Sequence, residues 1–377
     1  MNEQKNFSGG LGALPLAVLR QTRDAIEVLP ETGLSVLGMS HRSSWFRAVL
    51  DEAEQNLRTL LGIPRHYHVL FMQGGSSLQF SMLPMNFLRG TKQRAEYIVS
   101  GYWSAKAPPE ARHEGQVGIV WDGYDGGYTR LPHAGELPLS RNAAYLHYVS
   151  NETVEGLEFT DVPGLPDVPL VCDMSSNLLA GPVDVERYAL IYAHAQKNLG
   201  PSGVTVVILR DDFARRARGS LPTMLKFGRR ARRSLPTMLD YRTHIDSRSL
   251  YNTPPVFAIY VLMLVTRWLR DEIGGVAAMA ETNGAKARAV YGALDAYPGF
   301  YRVHAARPNR STMNVAFRLP DAVTEALFLD AAKRDGFHGL EGHRSIGGLR
   351  ASLYNAVTPE AAASLAQWLT GFAQRYG

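Results

Sequence analysis

The sequence predicts an α/β protein: a mostly parallel sheet with helices on both faces, followed by a smaller C-terminal α+β domain. Three observations carry this. Apolar runs of strand length, each ended by a polar loop and then a helical pattern, recur from His68 to Leu209. The polar residues of chemical interest stand just after those runs, where open α/β sheets collect functional groups. Beyond Val256 the order changes to a long helix, strands within Arg302 to Leu319 and Leu349 to Tyr354, and a closing helix.

Taken in order, Asn6-Phe7-Ser8-Gly9-Gly10 opens with small residues that permit close backbone approach. Leu14-Pro15 leads into an amphipathic helix to about Val28, and a second helix covers Phe46 to Leu61. Between them the polar loop Met39 to Ser44 carries His41 and Arg42; Arg42 either grips a carboxylate with its planar fork or is solvated. His68 to Phe71 reads as a buried strand, broken by Gln73-Gly74-Gly75-Ser76-Ser77 before a helix at Leu78. That break outlines a phosphate cradle, with glycines admitting an anion and the helix's first amides pointing at it, although a Ser-capped helix start has the same outline. Tyr97 to Val99 ends at Gly101-Tyr102-Trp103, where Trp103 either stacks on a flat ring or belongs to the core. Ala144 to Val149 ends at Ser150-Asn151-Glu152-Thr153.

The centre of the reading lies between Pro166 and Pro201. One apolar run stops at Asp173, and Gln196-Lys197-Asn198-Leu199-Gly200 follows another. Two short buried strands would deliver the acid and the lysine to one crevice. Pyridoxal phosphate needs that pair, a lysine for the Schiff base and a carboxylate to keep the pyridine nitrogen protonated. An acid and a lysine at this spacing also occur in many α/β proteins without such a role. Later, Leu250 to Pro255 forms a rigid turn before the helix from Val256 to about Glu272, and Thr358-Pro359 caps a last helix to about Tyr376. Gly342-His343-Arg344 and Gly347-Gly348-Leu349-Arg350 place cations around a glycine pair, which suits a dianion or makes a solvated basic loop.

At 377 residues and 45% hydrophobic, the chain is long enough to bury a large core in two domains. Its one cysteine, Cys172, lies in a predicted strand, which excludes a disulfide framework and a thiolate metal cluster and points to a reducing, cytoplasmic setting. No metal site is expected. Met1 to Asn6 lacks the pattern of a secretory signal, and the longest apolar run, Val256 to Val265, is too short to span a bilayer. The net charge of +5 is a local matter. Residues 215–242 hold a tandem duplication, in which Arg215-Arg216-Ala217-Arg218 to Leu225 returns as Arg229-Arg230-Ala231-Arg232 to Leu239. The first copy carries four positive charges and no negative one, so without it the charge falls to +1. The extra copy is expected to bulge onto the surface without affecting activity.

Together these stretches resemble the phosphoserine aminotransferases, a branch of the class-V pyridoxal-phosphate-dependent aminotransferases of fold type I. The likeness rests on Asn6-Phe7-Ser8, Ser40-His41-Arg42, Gly101-Tyr102-Trp103, Asn151-Glu152-Thr153, Ala195 to Pro201, Asn252-Thr253-Pro254-Pro255, and Gly342-His343-Arg344 with Gly347 to Ser352. It implies a seven-stranded large domain at 16–258, a small domain at 259–377, and an N-terminal arm at 1–15 near the site. It further implies that Lys197 forms the Schiff base and shuttles a proton, Asp173 holds the pyridine nitrogen, Trp103 stacks on the ring and Thr153 bonds the ring oxygen. Ser76, Ser77 and Gln196 would bind the cofactor phosphate, joined by Asn252 and Thr253 of a neighbouring subunit, so the unit would be a homodimer with shared sites.

In the same resemblance Arg42 and Arg350 bind the substrate carboxylate, with Gly9 and His41 nearby, while His343 and Arg344 receive the substrate phosphate across the subunit interface. Glutamate would give its amino group to 3-phosphohydroxypyruvate, yielding O-phosphoserine and 2-oxoglutarate, and a phosphorylated hydroxythreonine of pyridoxine synthesis would be a second product. This chain departs from the pattern at Leu11, where proline is usual, and at Gly9, where many members have serine. Two other readings stand beside it: another fold type I enzyme, such as an alanine–glyoxylate type aminotransferase, and an anionic-polymer binder acting through the Arg-rich repeat. A cysteine desulfurase would need a nucleophilic thiol, and Cys172 is predicted buried.

Overall fold

The computed structural model describes residues 5–217 and 235–377. Most of the first copy of the duplication, and the start of the second, lie outside the described residues, as does the expected surface bulge.

Seven strands build the central sheet: β1 Tyr67–Met72, β2 Arg94–Val99, β3 Gln116–Asp122, β4 Leu146–Val149, β5 Leu170–Asp173, β6 Leu190–His194 and β7 Thr205–Arg210. Their order is β1-β7-β6-β5-β4-β2-β3. Only β7 is reversed, pairing antiparallel with both β1 and β6, while the remaining pairs are parallel. The mostly parallel, seven-stranded expectation therefore holds. Alternate residues feed opposite layers, as the pleat dictates. Leu170, Cys172, Ile191, Ala193, Val206 and Ile208 enter one core with the helices Leu16–Glu27, Ser44–Leu61 and Val256–Asp271. Val171, Leu190, Tyr192, Val207 and Leu209 enter the other, against the helix Gly75–Phe87.

That last helix begins three residues earlier than the sequence suggests. Gly74 adopts a left-handed φ of 91° and Gly75 one of 65°, so the chain turns at once and Ser76 and Ser77 fall in the first helical turn instead of a loop. The strand end and helix start are thereby brought to the same edge of the sheet.

The C-terminal part has its own core, in which Val315, Phe317, Phe328, Leu365 and Phe372 meet Phe7 of the N-terminal arm. Three short antiparallel strands, Arg302–Val303, Asn314–Arg318 and Leu349–Ser352, pack with the helices Val276–Asp295, Ala322–Arg334 and Pro359–Tyr376. The last helix is capped as expected, the Thr358 side chain accepting from Ala361 N–H with Pro359 in the first turn. The arm is pinned here: Lys5–Asn6 pairs in parallel with Phe337–His338, and Ser352 N–H donates to Phe7 C=O. Among the described residues no helix is long and apolar enough to cross a membrane.

Candidate active site

The carboxyl ends of β1, β2, β4, β5 and β6 converge on one cavity of about 280 Å³. Of the expected residues, Ser76, Ser77, Trp103, Asp173, Gln196 and Lys197 line it. Two separate stretches of sequence thus deliver their acid and amine to the same space, by way of adjacent parallel strands β5 and β6.

Lys197 is buried, and its Nζ lies 5.9 Å from the centre of the Trp103 ring. Burial draws its pKa down to about 8, against the opposing pull of Asp173. Asp173 is buried too, and desolvation raises its pKa even though its Oδ1 accepts the Ser175 N–H at 2.8 Å. A cationic ring nitrogen placed against this carboxyl would favour its ionised form. On the same cavity the first amides of the helix Gly75–Phe87 lack acceptors within the helix, which makes a seat for an anion. A Cβ built on Gly75 would meet no atom within 4 Å, so the seat is open. An amine, an acid, an aromatic plate and an anion seat around one slot fit pyridoxal phosphate.

The platform under Trp103 is built by two acids to which the sequence assigns no role. Buried Glu152 accepts Trp103 N–H at 3.1 Å and Ser104 N–H at 2.9 Å, while Glu155 accepts Tyr102 N–H at 2.9 Å. Burial raises both pKa values, that of Glu155 to about 8 with the charge of Glu152 beside it. Trp103 Nε1 donates to Thr153 Oγ1 at 3.0 Å, and Arg350 Nη1 donates to the Thr153 carbonyl at 2.9 Å. Arg350 is buried, and a Cβ on Gly9 would collide with its guanidinium. The glycine therefore gives the guanidinium room to lie over the arm.

His343 stands in the same chain's site, its ring 4.7 Å from Tyr102 and 6.2 Å from Trp103. The loop closes on itself through Gly342 N–H, which donates to Gly348 C=O. Arg344, Arg350 and Lys106 all press the His343 pKa downward, behind desolvation, which marks one spot where cations gather. Lys106, 4.6 Å from the centre of the Tyr102 ring, went unnoticed in the sequence. His194, a cavity-lining residue at the end of β6, did so as well.

Of the fifteen expected residues nine are not part of this cavity's lining: Gly9, Thr153, His343, Arg344 and Arg350 belong to the surroundings just described, and four lie apart from them. His41 is half-buried and Arg42 exposed, on the turn before the helix Ser44–Leu61; Asn252 and Thr253 are exposed on the turn before the helix Val256–Asp271. The lysine loop itself is tied on two sides. Gly12 N–H donates to Gln196 C=O at 2.8 Å, and Asn198 Oδ1 accepts Asn355 N–H at 3.0 Å.

With this geometry in view, comparison with known proteins is decisive. The model of the aminotransferase class-V family matches residues 6–365. Phosphoserine aminotransferase of Geobacillus kaustophilus is 48% identical over 376 residues, covering 100% of both chains. The chain belongs to the phosphoserine aminotransferases of the class-V family. Its fold superposes on the phosphoserine aminotransferase of Bacillus circulans subsp. alkalophilus with a TM-score of 0.93 at 44% identity, covering 100% of both chains. It superposes on the pyridoxal-phosphate-bound phosphoserine aminotransferase of Trichomonas vaginalis with a TM-score of 0.87 at 36% identity, over 97% of this chain and 99% of that one.

Proposed function

We propose that this protein is a pyridoxal-phosphate-dependent phosphoserine transaminase, exchanging an amino group between glutamate and 3-phosphohydroxypyruvate to give O-phosphoserine and 2-oxoglutarate in serine biosynthesis. The observation that carries this is the single cavity lined by Lys197, Asp173, Trp103 and the Gly74–Ser77 turn, in a chain of this family.

Bound there, the cofactor supplies an electron sink for the substrate's α-carbon. Lys197 would hold it covalently and, once released, carry a proton at Nζ; a pKa near 8 suits an amine that must both take and return one. Asp173 would salt-bridge the ring nitrogen, Trp103 would cover the ring and exclude water, and Thr153 would orient Trp103 and the ring oxygen. Ser76, Ser77 and Gln196 would receive the phosphate. Arg350 offers its fork to a substrate carboxylate, while His343, Arg344 and Lys106 gather where a substrate phosphate would sit. The same cluster suits the phosphorylated hydroxythreonine of pyridoxine synthesis.

The working unit would be a homodimer. Arg42, Asn252 and Thr253 are exposed, with Leu16, Leu19, Leu34 and Leu37 exposed on the same N-terminal region as Arg42. A partner would cover those leucines and receive Arg42, His41, Asn252 and Thr253 at its own site. The arm 1–15, the large unit and the small unit would divide the labour, with the boundary moved from 258 to beyond Asp271, because the helix Val256–Asp271 packs in the large core. A cytoplasmic setting agrees with the one cysteine, buried and free.

The test is direct. Purified protein given glutamate and 3-phosphohydroxypyruvate should form O-phosphoserine, followed by phosphorus NMR. Lys197→Ala should abolish turnover, and absence of product with the native chain would defeat the reading.

A further inference from the structure

The residue at the end of β6 takes part in a hydrogen-bonded chain along the cavity wall. His194 Nδ1 lies 2.7 Å from Ser76 Oγ, which lies 2.7 Å from Ser175 Oγ. Ser175 Oγ accepts the His194 backbone N–H at 3.2 Å, and Ser175 N–H donates to Asp173 Oδ1. The other ring nitrogen, His194 Nε2, is enclosed and has no hydrogen-bond partner among the described residues. Resting on the cofactor assignment above, we propose that His194 is a positioning residue for the cofactor phosphate: its Nδ1–H donates to Ser76 Oγ and so frees the Ser76 hydroxyl proton to face the anion.

The argument follows from counting protons. Burial, helped by the charge of Lys197, holds the imidazole well below its usual pKa, so the neutral ring carries one N–H. With the proton on Nε2, that N–H would be enclosed without an acceptor, and Ser76 would have to spend its own proton on Nδ1. Its oxygen would then present only lone pairs to a phosphate. With the proton on Nδ1, Ser76 Oγ accepts from His194 and from the Ser175 hydroxyl, and its remaining proton is left on the cavity side, where an arriving anion competes for it with the Asp173 carboxyl that Ser76 also bonds. An arriving anion selects the second arrangement. The same chain ties Ser76 to Asp173 through Ser175.

The test uses the cofactor-free full chain titrated by absorbance with pyridoxal phosphate and, separately, with pyridoxal, which has no phosphate. His194→Ala should weaken pyridoxal phosphate roughly tenfold or more and leave pyridoxal unchanged. His194→Asn, whose carboxamide nitrogen can take the place of Nδ1, should restore most of the loss; His194→Gln, which reaches the Nε2 position, should not. In a Ser76→Ala background His194→Ala should cost nothing further, since the effect passes through that hydroxyl. The phosphorus resonance of the bound cofactor should move alike in both single variants. Equal losses for the two ligands, additive losses in the double variant, or Gln rescuing better than Asn would overturn the proposal. Should His194→Ala not fold, the Asn and Gln variants decide it. A native chain that binds no pyridoxal phosphate would instead defeat the functional reading.

Discussion

Trp103 Nε1 donates to Thr153 Oγ1 at 3.0 Å, joining the loop after β2 to the loop after β4 across the mouth of the cavity. The bond fixes the tilt of the indole that would cover the cofactor ring. Thr153→Val keeps the shape and removes the acceptor, so cofactor affinity should fall roughly fivefold, equivalent to about 1 kcal/mol. Absorbance titration of the cofactor-free protein measures it, and an unchanged affinity would show that packing alone sets the tilt.

Glu155 makes stability depend on pH. Its folded pKa of about 8 stands above the ordinary carboxyl value of 4.5, so between those limits the folded chain binds more protons than the unfolded one. Stability therefore falls as pH rises through that window, by at most about 1.4 kcal/mol per pH unit for one group. Glu155→Gln should flatten the slope and be the more stable protein above pH 8. Urea unfolding at pH 6 and pH 9 measures this, and parallel pH profiles would contradict it.

Lys197 has the opposite signature in kinetics. Only its neutral amine attacks a carbonyl, and with a pKa of about 8 that form grows as pH rises and saturates just above it. Capture of pyridoxal phosphate by the cofactor-free protein should speed up to about pH 8 and then level. A rate still climbing at pH 10 would mean an unperturbed lysine.

A second buried lysine serves structure. Lys286 Nζ donates to the carbonyls of Leu353, Tyr354 and Val357, each at 2.9 Å. Burial draws its pKa down to about 7, while three acceptors for three N–H donors favour the ammonium. These carbonyls belong to the segment whose Tyr354 hydroxyl donates to Gly9 C=O and whose Asn355 meets Asn198. Lys286→Met should cost roughly 3 kcal/mol in thermal or urea unfolding by leaving buried carbonyls unpaired. A loss near zero would show that water replaces the ammonium.

The parts of this protein legible in its sequence are those where one force dominates. β5 and β6 are buried on both faces, so Leu170–Asp173 and Leu190–His194 read as unbroken apolar runs, and the polar residues that end them identify the site. The edge strand β3, Gln116–Asp122, is half exposed and broken by Gly118, and it leaves no such run. The helix Val276–Asp295 is rich in alanine and turns Asn283 and Lys286 inward, which masks its apolar stripe. Glu152, Glu155 and His194 act through partners far along the chain, and a linear pattern does not carry those pairings. Asp173, Lys197 and Trp103 could be named because each ends or follows a strand whose end is itself visible.

The most direct measurement is a half-reaction on the native, cofactor-loaded protein. Mixed separately with O-phosphoserine, glutamate and alanine, it should lose its yellow absorbance with the first two and keep it with alanine. Arg344→Ala should weaken the response to O-phosphoserine by roughly tenfold while sparing glutamate, because only the former carries a phosphate. Bleaching by alanine as readily as by O-phosphoserine, or none by O-phosphoserine, would contradict the assignment.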